Sequence, residues 1–178
     1  MMSFCFEHTF RARSAADVFA VYFDPGHVAL QDQHLDLVQR EVLEFDDTGP
    51  EVRRVCRVVP RRKLPAIARP LVSGPLHYLE TVRWRRRDDE VRIETRPSIL
   101  SGRVAISARY RLTELAPGRI HRSYEGAVSV DVALISSRIE RGIVAELERS
   151  APVAAACTQT WLDRASPANN PVSLSSRA

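Results

Sequence analysis

The sequence predicts an α+β fold in which a curved, seven-stranded antiparallel sheet is gathered around one long C-terminal helix. Three observations lead there. Ala133 to Arg164 is the only stretch long and periodic enough for a helix that spans a domain. Six strand-like segments joined by turn residues precede it, and strands joined by tight turns must run antiparallel. Ahead of those lie one more strand and two short helical segments.

Taken in order, residues 4 to 13 alternate, with Phe4, Phe6, His8 and Phe10 on one face and Cys5, Glu7, Thr9 and Arg11 on the other. Ser14 with Asp17 three residues later caps a short helix whose inward contacts are Val18, Phe19 and Tyr22. Asp24-Pro25-Gly26 stops that helix and starts another near His27 to Gln33. Strands follow at Asp36 to Phe45, Val52 to Val59, Leu76 to Trp84 and Val91 to Thr95, the last two flanking the turn Asp88-Asp89. Val104, Ile106, Ala108, Tyr110 and Leu112 give the clearest alternation in the chain. Pro117-Gly118 then turns it into Ile120, Arg122, Tyr124, Gly126, Val128 and Val130.

At about 100° per residue, the long helix places Ile139, Ile143, Val144, Leu147, Ala151, Ala154, Cys157, Trp161 and Leu162 on one arc. Arg138, Arg141, Glu148 and Arg149 fall opposite, while Glu140 breaks the pattern by lying within the apolar arc. Thirty-odd residues reach about 45 Å at roughly 1.5 Å each, so a bend is expected, and Pro152 supplies it on the polar side.

The chain of 178 residues, 44% hydrophobic, suits one domain over residues 1 to 164, with a disordered Ser, Asn, Pro and Ala tail over 165 to 178. Its net charge of +4 rests almost wholly on arginine, Lys63 being the one lysine, which is what a GC-rich coding sequence produces. A nucleic-acid partner is therefore not expected. Cys5, Cys56 and Cys157 have no metal-ligand spacing and read as buried, reduced thiols. His27, His34, His77 and His121 share no ligand spacing either, so no metal and no cofactor are expected. There is neither a signal-peptide pattern nor an 18-residue apolar run, and a cytoplasmic location is expected.

The order of elements and certain stretches resemble a known superfamily. VVPRRKLPAIARPLVSGPLHYLETVRW, with Gly74, Glu80 and Trp84, VSVDVALISSRIERGIVAEL and the closing Trp161-Leu162 carry the resemblance. It is to the START-like, or birch-pollen-allergen-like, superfamily (SRPBCC) with its helix-grip fold. More narrowly the chain is similar to a bacterial family catalogued as domain of unknown function 2505. The resemblance covers about residues 4 to 164. The chain departs from that family just before the helix, where proline and glycine are common and this chain has Ala133 and Ser136. Superfamily members hold sterols, lipids, polyketides or other apolar molecules between sheet and helix, and some are cyclases or dehydratases. The resemblance implies a cavity, and fold alone names no ligand.

Alternation aims His8, Glu80, Tyr110, Arg122 and Tyr124 into such a cavity from the strands, and Glu140 from the helix. In the superfamily order the first and last strands are neighbours, which brings His8, Arg122 and Tyr124 together. Buried charge demands partners, and Arg122 with Glu140 or Glu80 is the natural pairing. The set is either an internal network locking helix to sheet or the polar end of a ligand site. Phe6, Phe10, Ile106, Ile139, Ile143, Leu147 and Trp161 would line the cavity. His8 and Glu80 are weak acid-base candidates, without an accompanying nucleophile.

Leu64, Ile67 and Leu71, flanked by Arg61, Arg62, Lys63 and Arg69, read either as a lid that touches an anionic membrane surface transiently or as a solvated loop. Arg83, Arg85, Arg86 and Arg87 read as a charged hairpin rim. The functional expectation is binding or carriage of a small lipid-like, sterol-like or polyketide-like ligand without turnover. The alternatives are a polyketide cyclase or dehydratase, and an interaction module with a filled core. Oligomeric state is left open.

Overall fold

Alternation decides the sheet and capping decides the helices. The computed structural model of the chain describes residues 1–61, 76–87, 90–132 and 134–165. The expected lid residues Leu64, Ile67 and Leu71, the Asp88-Asp89 turn and the tail from Ser166 lie outside them.

Strand β1 (Met2–Arg11) is followed by helices α1 (Ala15–Phe23) and α2 (Pro25–His34). Strands β2 (Leu37–Asp46), β3 (Glu51–Pro60), β4 (Tyr78–Arg85), β5 (Glu90–Pro97), β6 (Val104–Ala116) and β7 (Arg119–Val130) come next, and α3 (Ser136–Ala165) closes the chain. All seven strands form one antiparallel sheet in the order β1-β7-β6-β5-β4-β3-β2. β1 thus returns beside β7, and His8 stands directly opposite Arg122.

The Ser14 hydroxyl accepts the Asp17 amide at 3.2 Å and opens α1. Asp24 works at two ends: its amide donates to the Val21 carbonyl, and its carboxylate accepts from the Gly26 and His27 amides at 2.8 and 3.1 Å. Those donors are the orphans of the first turn of α2, where Pro25 has none to lose. The two short helices are fixed by packing, not by intrinsic stability. A Cβ on Gly26 would stand 2.5 Å from the Trp161 ring, so only glycine lets α2 approach α3 this closely. One residue on, buried His27 meets the Thr158 hydroxyl of α3 through Nε2 at 3.1 Å.

α3 is unbroken through Pro152, which is exposed, so the carbonyl it leaves without a partner faces water. Its inward face includes Ile139, Val144, Ala151, Cys157 and Leu162 as the arc requires, and also Ala155 and Thr158. Thr158 is absent from an apolar arc because its hydroxyl must be answered, and the Ala154 carbonyl and His27 answer it. The expectation of three buried thiols fails at Cys5, which is exposed on the outer face between Phe4 and Phe6, whereas Cys56 and Cys157 are buried. Among the described residues, no helix is long and apolar enough to cross a membrane.

Candidate functional site

Two apolar clusters fill the space between the sheet and the helices. One, beneath α1 and the C-terminal end of α3, gathers Phe10, Val18, Phe19, Val91, Tyr110, Leu112, Ile120, Ala155 and Leu162. The other, beneath the N-terminal half of α3, gathers Phe4, Ile99, Val104, Val128, Val130, Ile139 and Val144. Ile93 and Tyr124 touch both clusters, yet each is only half-buried on the inner face of an interior strand. Phe6, Ile106, Ile143 and Leu147 are half-buried as well. Both ends of the interior are buried, and along the seam between the two clusters these side chains keep part of their surface exposed.

Polar side chains converge on that seam. Arg122 donates from Nη2 to His8 Nδ1 at 3.0 Å and from Nη1 to the Tyr22 hydroxyl at 2.5 Å. Its guanidinium carbon lies 5.2 Å from the Phe10 ring centre and 6.0 Å from that of Tyr22. Tyr110 stands opposite Tyr124 in the register and packs 4.9 Å from Tyr22, ring centre to ring centre. Across the sheet, Glu80 accepts from Arg40 Nη1 at 2.6 Å, while Asp32 takes Arg40 Nε at 2.9 Å. Arg54 reaches back to the Tyr22 carbonyl at 3.2 Å. Tyr22 therefore joins strands β3 and β7 to helix α1.

The electrostatics of this group favour donation over proton abstraction. Burial, and behind it the Arg122 charge, lowers the His8 pKa, so the ring is neutral at pH 7. Arginine can only donate, so Nδ1 accepts and the His8 proton sits on Nε2. Desolvation raises the Tyr124 phenol to about 12 and holds Tyr110 and Tyr78 above their ordinary values. All remain protonated at neutral pH. Among the described residues, no hydrogen bond is made by the hydroxyl of Tyr110 or Tyr124, which leaves two phenols free to donate. Burial pulls the Arg40 pKa down, but Glu80 and Asp32 more than reverse it and keep the cation charged.

Of the residues singled out from sequence, His8, Arg122, Tyr124 and Tyr110 come together and Glu80 faces them across the sheet. Glu140 does not join. It is buried at the end of the sheet, where its Oε1 lies 3.1 Å from the Val130 amide and 2.9 Å from the Met1 amine. The expected pairing of Arg122 with Glu140 or Glu80 is overturned. Glu80 is held by Arg40, and Arg122 by His8 and Tyr22. Phe10 is fully buried beneath Arg122, Ile139 is buried in the second cluster, and Trp161 packs over Gly26 and near His27 instead of facing the seam. Sequence reasoning missed Arg40, Asp32, Arg54 and Tyr78. Of these, Arg54 and Tyr78 carried a signal, since each shares the inward alternation of its strand. Among the described residues no cluster of potential metal ligands occurs.

The outer face of the sheet is different in kind. One concavity there is lined by Glu51, Thr81, Arg83, Arg85, Glu90, Arg92 and Glu94, and an open depression of about 700 Å³ runs across β1, β7, β6 and β5. Glu90, buried and lining both, is taken by Arg92 at 3.0 Å and Arg111 at 2.8 Å. In the hairpin rim, Arg86 pairs with Asp47, and Arg85 lies 3.7 Å from Glu51.

Comparison with known proteins places this geometry. Residues 6–162 match the family described as "Protein of unknown function (DUF2505)". No curated protein matches the sequence. Among solved structures, the Zhui aromatase/cyclase from Streptomyces sp. R1128 is 13% identical with a TM-score of 0.62, over 95% of this chain and 99% of that one. A START superfamily protein from Mycobacterium smegmatis is 9% identical with a TM-score of 0.59, over 92% and 99%. Norcoclaurine synthase from Thalictrum flavum, in complex with dopamine and hydroxybenzaldehyde, is 17% identical with a TM-score of 0.60, over 93% and 88%. At these identities the likeness is one of fold, and the fold is the helix-grip fold of START/SRPBCC proteins.

Proposed function

The chain belongs to the DUF2505 family, and with that as the premise we propose that it binds and carries a small apolar or amphipathic molecule between its sheet and α3, without turning it over. The observation that carries this reading is the seam. Ile93 and Tyr124 pack against both core clusters and keep part of their surface exposed. An apolar space with a few convergent polar groups is the usual form of a small-molecule site. His8, Arg122, Tyr110, Tyr124 and Glu80 supply the polar groups, and Phe6, Ile106, Ile143 and Leu147 the apolar wall. Two fold neighbours support a ring-bearing ligand: one is an aromatase/cyclase, the other holds dopamine and hydroxybenzaldehyde.

The second reading, a cyclase of polyketide type, draws on the same neighbour and on the free phenols as proton donors. It needs a base as well. His8, its pKa lowered and its Nδ1 occupied by a guanidinium, is a poor one. Carriage is therefore the better supported of the two.

Native mass spectrometry of the protein purified from its own host tests the proposal. A discrete small-molecule adduct lost on denaturation is expected. A bare mass, together with failure to take up any apolar aromatic compound supplied, would mean a filled interior and an interaction module in its place.

A further inference from the structure

We propose that the ligand of this seam is an anion, and that its carboxylate is held beside Arg122. This rests on the reading of the seam as a small-molecule site and adds the charge of what enters it. Arg122 is 6% exposed, and among the described residues no carboxylate forms an ion pair with it. Its hydrogen-bond partners are neutral, a histidine and a phenol, and its Nε has none. Stripping an ion of water is costly. Two ring faces and two hydrogen bonds to neutral groups offset part of that cost, but they do not supply a counter-charge.

The neighbouring arginines sharpen the contrast. Arg40 is met by two carboxylates, Asp32 and Glu80. Arg54, also with an unpartnered Nε, has a backbone carbonyl and the Phe23 ring as its partners. Among the described residues, three guanidinium groups thus face two carboxylates, both hydrogen-bonded by Arg40 and with Asp32 also within electrostatic reach of Arg54, which leaves a surplus of positive charge beside Tyr22. The phenols of Tyr110 and Tyr124 add neutral donors. Donors and cations gathered at one end of an apolar space match a planar, two-oxygen anion on an apolar body. Arg122 Nε is screened from solvent by the groups around it, so an incoming carboxylate meets the guanidinium at its Nη edge, between half-buried His8 and Tyr22.

Two probes of one shape separate charge from fit: 2-naphthoate and its neutral counterpart 2-naphthylmethanol, titrated into the intact chain by calorimetry at pH 7. The acid is expected to bind at least about tenfold more tightly than the alcohol. In Arg122→Met that advantage of the acid over the alcohol should fall below about threefold. Equal affinities in the unaltered protein would overturn the anion assignment and leave carriage standing. Binding of neither probe would overturn both.

A readout in the unaltered protein guards against a variant that does not fold. Burial first and the Arg122 charge second depress His8; an anion beside Arg122 offsets the second, so 2-naphthoate should raise the His8 titration midpoint seen by NMR relative to the alcohol. An identical midpoint with both probes would contradict the assignment.

Discussion

Arg122 and Tyr22, one hundred residues apart, are joined by a hydrogen bond of 2.5 Å that ties strand β7 to helix α1. The bond lies against the first apolar cluster, with the Phe10 ring beneath the guanidinium. Tyr22→Phe removes the acceptor and leaves a buried guanidinium with one partner fewer, which should cost about 1 to 2 kcal/mol in urea denaturation. In an Arg122→Met background the same change should cost less than about 0.5 kcal/mol, because the coupling is gone. Equal costs in both backgrounds would show that the two residues are not energetically linked.

Arg40 answers two carboxylates, so its removal strands both. Arg40→Met should destabilise the protein by about 3 to 5 kcal/mol, whereas Arg122→Met removes a cation that has no carboxylate partner among the described residues and should cost less than half as much. Denaturant midpoints of the two variants side by side check the order. A reversal would place the essential charge on β7 instead of β2.

His27 makes stability depend on pH. Desolvation, with Arg54 in support and Asp24 and the Val21 carbonyl in opposition, holds its pKa near 4 against 6.5. The unfolded chain takes up a proton near 6.5 that the folded chain refuses until about 4, so stability falls as the pH drops through that window. The loss should be about 2 kcal/mol. Carboxylates such as Glu90 and Glu140, whose pKa values are lowered in the fold, lose stability in acid too. The comparison with His27→Gln isolates the histidine: its decline from pH 7 to 4.5 should be smaller by that amount. Parallel declines would acquit His27.

Three glycines should respond differently to alanine. A Cβ on Gly126 would stand 2.4 Å from the Ser107 carbonyl oxygen and 2.6 Å from the Phe4 ring, and backbone cannot give way cheaply. Gly126→Ala should cost about 2 kcal/mol or more, and Gly26→Ala, against the Trp161 ring, at least about 1. Gly142, in α3 with open space around its Cβ position, should gain about 0.5 to 1 kcal/mol. Thermal melts of the three variants give the order directly.

The strands were legible because a period of two survives wherever one face is buried: Val104, Ile106, Ala108, Tyr110 and Leu112 all face inward as their spacing requires. The same rule, with the neighbouring placement of β1 and β7, brought His8 to Arg122. What periodicity cannot carry is depth along the interior. It put Arg122, Glu80 and Glu140 on facing surfaces without saying that Glu140 lies at one end, against Val130. Arg40 was hidden for a different reason: β2 is an edge strand with Val38, Val42, Leu43 and Phe45 exposed and a bulge between Val42 and Glu44, so no alternation marks an inward residue. Thr158 and His27 were hidden because they meet across α2 and α3, a pairing that the pattern of neither helix shows by itself.

The central claim is that the seam between the two core clusters admits a small molecule. Methyl NMR of isoleucine and valine side chains during titration with neutral 2-naphthylmethanol tests it most directly. The account predicts saturable shifts at Ile93, Ile106 and Ile143, with none at exposed Val38 or Val42. Silence at all three isoleucines up to about millimolar probe, or shifts confined to the outer face of the sheet, would contradict it.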